Sequence, residues 1–402
     1  MLESLIQMDI PKILGGNPVR DKPYPSWPIF DDREKEFLTQ ALESGKWGVG
    51  GKLQEEFEKR FAVFQHAKHC LLCSSGTTAL KIALKAMGLS PGDEVIVPAY
   101  TFIGTATAAL DLNAKLIYAD ISLESYTIDV ESVKSKISEK TKIIVPVHFA
   151  GRPADMDSVK EFAEEHNLLV LEDAAQAHGA EWRNRRVGAI GDAGAFSFQS
   201  SKNITAGEGG AVTTDDDALA STVWSLRNVG RPKDGPWYQH SIYGWNYRIT
   251  EWQAAVLLAQ LERAPKLMEK RDASARYLDK LLRQVDGVEP LPNDPRVSRH
   301  AYHLYVFRYD PAEFNNLSKE LFVEALRAEG IPCNAGYRPL YSYSFLPRSN
   351  PLPNTEKAAY SEAVWIPQPV LLAEKEDLED IIKAIEKIKK HSSEIKERYK
   401  TI

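Results

Sequence analysis

Cysteine is scarce in this chain, with three residues in 402. Three thiols cannot build a disulfide framework, which points to a reducing compartment. Long apolar runs are also missing: no stretch approaches the roughly 20 residues a membrane span needs. Met1-Leu2-Glu3-Ser4-Leu5-Ile6 has neither the basic flank nor the apolar core of a secretory signal. The expected location is the cytoplasm, without membrane contact. Neither sign of charge dominates, since 50 Lys and Arg face 56 Asp and Glu, so no basic face is offered to nucleic acid. The one basic cluster, Lys383 to Lys400, is interleaved with acids and reads as the solvated face of a terminal helix. Metal-ligand spacing is nearly absent too. Cys70 and Cys73, with His66 and His69 before them, resemble a zinc or redox pair, but Cys70-Leu71-Leu72-Cys73 is apolar, as in a core strand, so buried thiols and no metal are expected.

What is present is an alternation. Between residues 70 and 220, short apolar runs alternate with helical patterns, the mark of a mainly parallel sheet wrapped by helices. Strands are predicted at Leu71–Cys73, Glu94–Pro98, Leu116–Ala119, Ile143–Val147, Leu168–Leu171, and as a pair at Ala195–Phe198 and Ala211–Thr213. Helices are predicted at Thr77–Met87, Phe102–Leu110 and Ser158–His166. Glu251–Arg271 reads as a long helix kinked or broken at Pro265, with Ala254, Ala255, Leu257, Leu258 and Leu261 on its apolar face. Beyond it come a helix through Leu281, a strand at His303–Tyr309, a helix at Lys319–Glu329 and a last helix from Lys375. This gives an N-terminal arm over 1–45, extended around Pro23, Pro25 and Pro28, a large α/β domain over 46–270 and a smaller α+β domain over 271–402.

Four elements converge on an aldehyde cofactor bearing a phosphate. Ser74-Ser75-Gly76-Thr77-Thr78 opens a helix straight after a strand, where free N–H groups and the positive dipole end accept an anion. A Ser/Thr-rich N-cap is also what any helix prefers. Leu168–Leu171 ends in Glu172-Asp173, and a carboxylate there, facing a heteroaromatic nitrogen, would keep that nitrogen protonated and the ring an electron sink. A helix cap or metal ligand is the alternative for Asp173. Phe196-Ser197-Phe198-Gln199-Ser200-Ser201-Lys202 brings a lysine to a strand end, where it can be desolvated and form a Schiff base, with the Ser197 hydroxyl near the same phosphate. Tyr100 and Phe102, after Val95-Ile96-Val97-Pro98, offer an aromatic face to the ring. Gly48-Val49-Gly50-Gly51 hints at a nicotinamide enzyme, but no strand precedes it and no acid follows at the right spacing.

The order of these motifs, together with Glu172-Asp173-Ala174-Ala175-Gln176-Ala177-His178-Gly179, Gly209-Gly210 and Gly244-Trp245-Asn246-Tyr247-Arg248, resembles the DegT-type sugar and cyclitol aminotransferases. The likeness spans Gly45 to about Leu372. It implies the pyridoxal-phosphate-dependent transferase fold type I and a cytoplasmic homodimer with two shared sites. Lys202 then matches the Schiff-base lysine, Asp173 the partner of the pyridine nitrogen and Gln176 the residue beside the ring's phenolic oxygen. Gly76, Thr77 and Ser197 match the phosphate cup, to which the Ser75 N-cap belongs; Phe102 matches the stacking aromatic, and Asn246 a residue reaching the neighbouring subunit's phosphate. Gln199-Ser200-Ser201 before the lysine and the turn Thr205–Gly210 are closer to the glutamine:scyllo-inosose aminotransferases and 3-amino-5-hydroxybenzoate synthases than to nucleotide-sugar members. The implied donor is L-glutamine or L-glutamate and the implied acceptor a keto-sugar or keto-cyclitol, with Trp47, Arg248, His303 and Tyr337 as candidate hydrogen-bonding residues. Relatives that dehydrate sugars carry histidine in place of the lysine, and a non-enzymatic relative would have lost the lysine or the aspartate.

Overall fold

The computed structural model describes residues 9–399. The readings of Met1–Ile6 and Lys400 lie outside them. In chain order the first strands are β1 (His69–Cys73), β2 (Glu94–Pro98), β3 (Lys115–Ala119), β4 (Thr141–Ile144) and β5 (Leu169–Asp173). The two-residue strands β6 (Glu181–Trp182) and β7 (Arg185–Arg186) follow, then β8 (Ala193–Ser197) and β9 (Gly210–Thr214). Seven of them form one sheet in the order β1-β9-β8-β5-β4-β2-β3. Only β9 runs antiparallel to its two neighbours, β1 and β8; the other pairings are parallel. The C-terminal ends of the remaining six strands therefore open on one edge, where ligands of such sheets bind.

Helices α1 (Asp32–Glu43), α2 (Lys52–Phe64), α3 (Gly76–Ala86), α4 (Ile103–Leu110), α5 (Val130–Lys134), α6 (Met156–Glu165) and α7 (Asp217–Arg227) surround this sheet. One face buries Phe57, Phe61, Phe162, Phe196 and Phe198 against α8 (Glu251–Leu282). The other buries Leu80, Ile82, Val95, Val97, Val223 and Leu226. With both faces covered the strands have no solvent side, which explains their near-continuous apolar sequence. Cys70 and Cys73 are buried free thiols on β1.

A third core gathers β10 (Val288–Pro290), β12 (Leu304–Tyr309) and β13 (Ala363–Pro367) with α9 (Lys319–Ala328) and α11 (Lys375–Lys390). The remaining elements are β11 (Val297–Arg299), paired with β6, and the short helices α10 (Pro353–Lys357) and α12 (Ser392–Arg398). Two expectations change. Helix α8 runs 32 residues without the expected break, through Pro265, because the faces on both sides of the proline are buried, from Ala254 to Leu261 and from Met268 to Leu282. The arm is helical in part: Asp31 and Glu34 form a capping box at the start of α1, and Glu34 also binds Gln260 and Arg263 of α8. Among the described residues, no helix is long and apolar enough to cross a membrane.

Candidate active site

Lys202 sits five residues beyond the end of β8 and is half-buried; its Nζ has no hydrogen-bond partner among the described residues. Burial lowers its pKa to about 8, against the pull of the nearby Asp173 carboxylate. At neutral pH this amine is far easier to deprotonate than an ordinary lysine. Asp173 closes β5 and is 5 % exposed. Its Oδ2 accepts from the Thr105 hydroxyl at 2.7 Å and its Oδ1 from the Ala175 N–H at 3.2 Å. Burial nevertheless holds its carboxyl above the usual range, so a further partner with a proton to share would be welcome there.

The neighbouring acid has a different task. Both oxygens of Glu172 are used, by the N–H groups of Gly188, Ile190 and Gly191 and by His148 Nε2 at 2.9 Å. His148 Nδ1 accepts from the Ala154 N–H, so its proton lies on Nε2 and points at Glu172. Glu172 thus ties β5 to the 188–191 turn, whereas Asp173 faces the strand ends. The sheet pleat sends the two side chains to opposite sides.

An anion cradle lies alongside. Ser75 caps α3 and forms a capping box with Thr78, which leaves the N–H groups of Gly76 and Thr77 without protein acceptors among the described residues. No acid stands in the first turn of α3. A Cβ on Gly76 would lie 2.7 Å from the Ser197 Cβ, so only glycine lets the hydroxyl of β8 approach the helix start. Gly104, whose missing Cβ would meet Thr77 Oγ1 at 2.8 Å and the Phe102 ring at 3.2 Å, links the cradle to Phe102. Phe102 is 55 % exposed and its ring lies 6.4 Å from Tyr337. Gln176 fixes the other side: its Oε1 accepts from the Ala150 N–H at 2.7 Å and its Nε2 donates to the Tyr337 hydroxyl at 3.2 Å. Tyr337 is itself pushed up to about 12 by burial.

The fold therefore gathers Lys202, Asp173, Gln176, Tyr337, Phe102, Ser75, Gly76, Thr77 and Ser197. His303 is buried beside them, its Nδ1 3.3 Å from Asn203 Oδ1, and burial holds its pKa well below the usual histidine value. Tyr100 is not a cofactor face, because it is fully buried against Tyr126 and Phe149. No hydrogen bond, ion pair or ring contact joins Trp47, Asn246 or Arg248 to Lys202 or Asp173 among the described residues. Trp47 is exposed with its ring tilted against that of Trp252 at 5.5 Å, Asn246 is exposed, and Arg248 donates to Asn228 Oδ1 at 3.0 Å in the wall of a cavity of about 1000 Å³. Sequence reading missed Thr105. The available signal was a hydroxyl on α4 one turn beyond Thr101, and the two hydroxyls lie 3.1 Å apart.

A desolvated lysine, a buried carboxylate and a phosphate-sized nest of N–H groups at the ends of parallel strands define a fold type I pyridoxal-phosphate enzyme. Comparison with known proteins narrows this class. The chain belongs to the DegT/DnrJ/EryC1/StrS aminotransferase family, whose pattern matches residues 28–386. It is 39 % identical to the 3-amino-5-hydroxybenzoate synthase of Amycolatopsis mediterranei, over 88 % of this chain and 94 % of that one. It is 38 % identical to the L-glutamine:2-deoxy-scyllo-inosose aminotransferase of Streptomyces kanamyceticus, over 81 % and 80 %. A crystal structure of 3-amino-5-hydroxybenzoic acid synthase superposes with a TM-score of 0.86 at 37 % identity, covering 92 % of this chain and 98 % of that one. The protein is a pyridoxal-phosphate-dependent aminotransferase.

Proposed function

We propose that the protein moves the amino group of L-glutamine or L-glutamate to a polyhydroxylated cyclic ketone of the scyllo-inosose type. The observation that carries this is the free, desolvated Lys202 amine beside buried Asp173. Similarity to a glutamine-dependent cyclitol aminotransferase supports the choice of donor and acceptor. When bound, pyridoxal phosphate supplies a ring that draws electrons from the bond being broken at the donor's α-carbon.

The chain's own residues do the rest. Gly76, Thr77 and Ser197 hold the phosphate, and Phe102 and Gln176 orient the ring. Asp173, steadied by Thr105, keeps a proton on the ring nitrogen. Lys202 would hold the cofactor and, once freed by the donor's amine, would act as a neutral base at Nζ, moving a proton from the donor's α-carbon to the cofactor in the first half-reaction and from the cofactor to the new amine-bearing carbon in the second. Tyr337 would bind a hydroxyl of the acceptor, and His303 is buried near Lys202.

Asn246, Trp47 and Arg248 act across a two-fold axis in this reading, on the site of a second copy. Exposed Trp47, Val49, Trp237, Tyr238 and Tyr243 provide an apolar surface for that contact. The chain divides into an arm to about residue 45, a cofactor domain to about residue 270 and a smaller domain beyond, with α8 shared by the last two. Its three free, buried thiols suit the cytoplasm.

A nucleotide-linked keto-sugar is the second reading, and one observation favours it. Arg231 and Arg248 both donate to Asn228 Oδ1, and Arg231 also donates to the Trp237 carbonyl oxygen at 2.6 Å, but neither has an ion-pair partner among the described residues, leaving two guanidinium charges unpaired for a diphosphate. The test starts from the visible spectrum of the protein with pyridoxal phosphate, before and after L-glutamine or L-glutamate. A lysine-linked band that bleaches with either donor is expected; no band would end the reading. The bleached protein is then offered scyllo-inosose and a nucleotide-linked keto-sugar. Return of the band with the free cyclitol alone supports the first acceptor, and return with the nucleotide sugar alone replaces it.

A further inference from the structure

Lys319, the first residue of α9, is a buried cation that the proposed chemistry does not use. It is 2 % exposed. Among the described residues it has no ion-pair partner; its Nζ donates to the carbonyl oxygens of Ala335 at 2.7 Å, Ala358 at 3.4 Å and Ala359. It also sits at the positive end of its own helix. Burial without a carboxylate and an opposed dipole both act against an ammonium here, and burial lowers its pKa to about 8 despite Glu320 and Glu362. A residue kept against its local energetics calls for a task that the three carbonyls define.

Those carbonyls belong to two segments behind Tyr337. Ala335 precedes Gly336, which has φ +92° and whose missing Cβ would lie 2.3 Å from the Tyr100 hydroxyl, so the chain passes there only as glycine. Asn334 exchanges both backbone hydrogen bonds with Trp365 of β13. Tyr337 follows, packed 4.8 Å from the Trp365 ring and within hydrogen-bond reach of Gln176. Ala358 and Ala359 begin a π-helical turn, Ala358–Glu362, whose Glu362 accepts from the Tyr126 hydroxyl at 2.8 Å. Such turns recur at functional sites. Lys319 is the clasp between the two segments.

We infer that Lys319 is a positioning residue, which fastens segment 335–337 to the π-helical turn so that the Tyr337 hydroxyl stays against Gln176 at the reacting end of the site. This rests on the reading of Gln176 and Tyr337 as site residues.

The test is a double-mutant cycle on the holoenzyme: Lys319→Met and Lys319→Gln, each alone and combined with Tyr337→Phe. Two quantities are read, the pyridoxal phosphate dissociation constant from the visible band and kcat/KM for the half-reaction with L-glutamate or L-glutamine. Lys319→Met should weaken cofactor binding about fivefold and lower kcat/KM about tenfold with Tyr337 present, and change each by less than about twofold in the Tyr337→Phe background. Lys319→Gln, which keeps two donors, should recover part of the loss. Equal losses in both backgrounds would overturn the inference, because a merely structural lysine acts whether or not the hydroxyl is there. If Lys319→Met does not fold, Lys319→Gln is judged by the same criterion. If neither folds, Tyr337→Phe alone decides: unchanged values leave Lys319 nothing to position, and a severalfold loss in both supports it. An unmutated protein without a band removes the functional reading itself; a working protein with an additive cycle removes only this inference.

Discussion

At the scale of single residues, the proposed chemistry hangs on two groups that the same burial moves in opposite directions. Desolvation lowers the Lys202 amine to about 8 and raises the Asp173 carboxyl, so each comes nearer to exchanging a proton at neutral pH. Replacing Lys202 with alanine should leave a folded protein with no lysine-linked band and no turnover, checked by visible spectroscopy and a donor half-reaction assay. Asp173→Asn should lower kcat on the order of 100-fold while cofactor affinity changes far less, since only the electron-sink role needs the charge; titrating both quantities separates the two roles. Added pyridoxal phosphate must meet an unprotonated amine. The rate of band formation should therefore rise through pH 8 and level off above it, where an unperturbed lysine would keep gaining toward about 10.4. Lys202 and Asp173 were legible in the sequence because Asp173 closes an apolar strand and Lys202 lies within five residues of the end of another. Thr105 was not, because its hydroxyl reaches Asp173 only after α4 and β5 are brought together.

At the scale of elements, strand and helix positions were largely legible. The observed β2 spans the predicted Glu94–Pro98, and β5 and β8 depart from their predicted bounds by one or two residues. Alternating apolar runs and helical patterns left few other registers for a sheet buried on both faces. Pro265 does not break α8, because a helix-breaking propensity is local, whereas the burial that carries α8 through it is not. Glu172 makes the connection between β5 and the turn before β8 testable. Burial raises its carboxyl, but His148 and the turn's N–H groups outweigh this and hold it below the ordinary value. A depressed folded pKa stabilises the protein above the unfolded value of about 4.3 and ceases to do so as pH falls through the folded pKa. Glu172→Gln should thus cost about 3 kcal/mol at pH 7 in urea unfolding, with the gap narrowing at acid pH. Gly76→Ala would drive a Cβ into Ser197 and should weaken cofactor binding at least severalfold in a spectroscopic titration, with little change in fold by circular dichroism.

At the scale of the whole molecule, Asn246, Trp47 and Arg248 lie outside the group gathered around Lys202, which for Trp47 and Arg248 departs from the expected substrate contacts and suits the proposal that all three act on a second copy. Co-expressed Lys202→Ala and Asn246→Ala chains should form mixed dimers with one intact site, recovering up to about a quarter of the native rate though each variant alone is impaired. Purified variants mixed in trimeric or monomeric form, or a mixture with no recovery, would contradict shared sites; mass by sedimentation and turnover by half-reaction decide it. By itself the sequence determined the strands, their common edge, and the lysine and aspartate proposed to react there, because these follow from periodicity and from residue types adjacent along the chain. Tertiary structure alone decided that Glu172 braces while Asp173 faces the site, that Tyr100 is core while Phe102 is free, and that Lys319 stands behind Tyr337. Each of these depends on which distant segment fills the space beside a side chain, and that is set by packing between elements rather than by spacing within them.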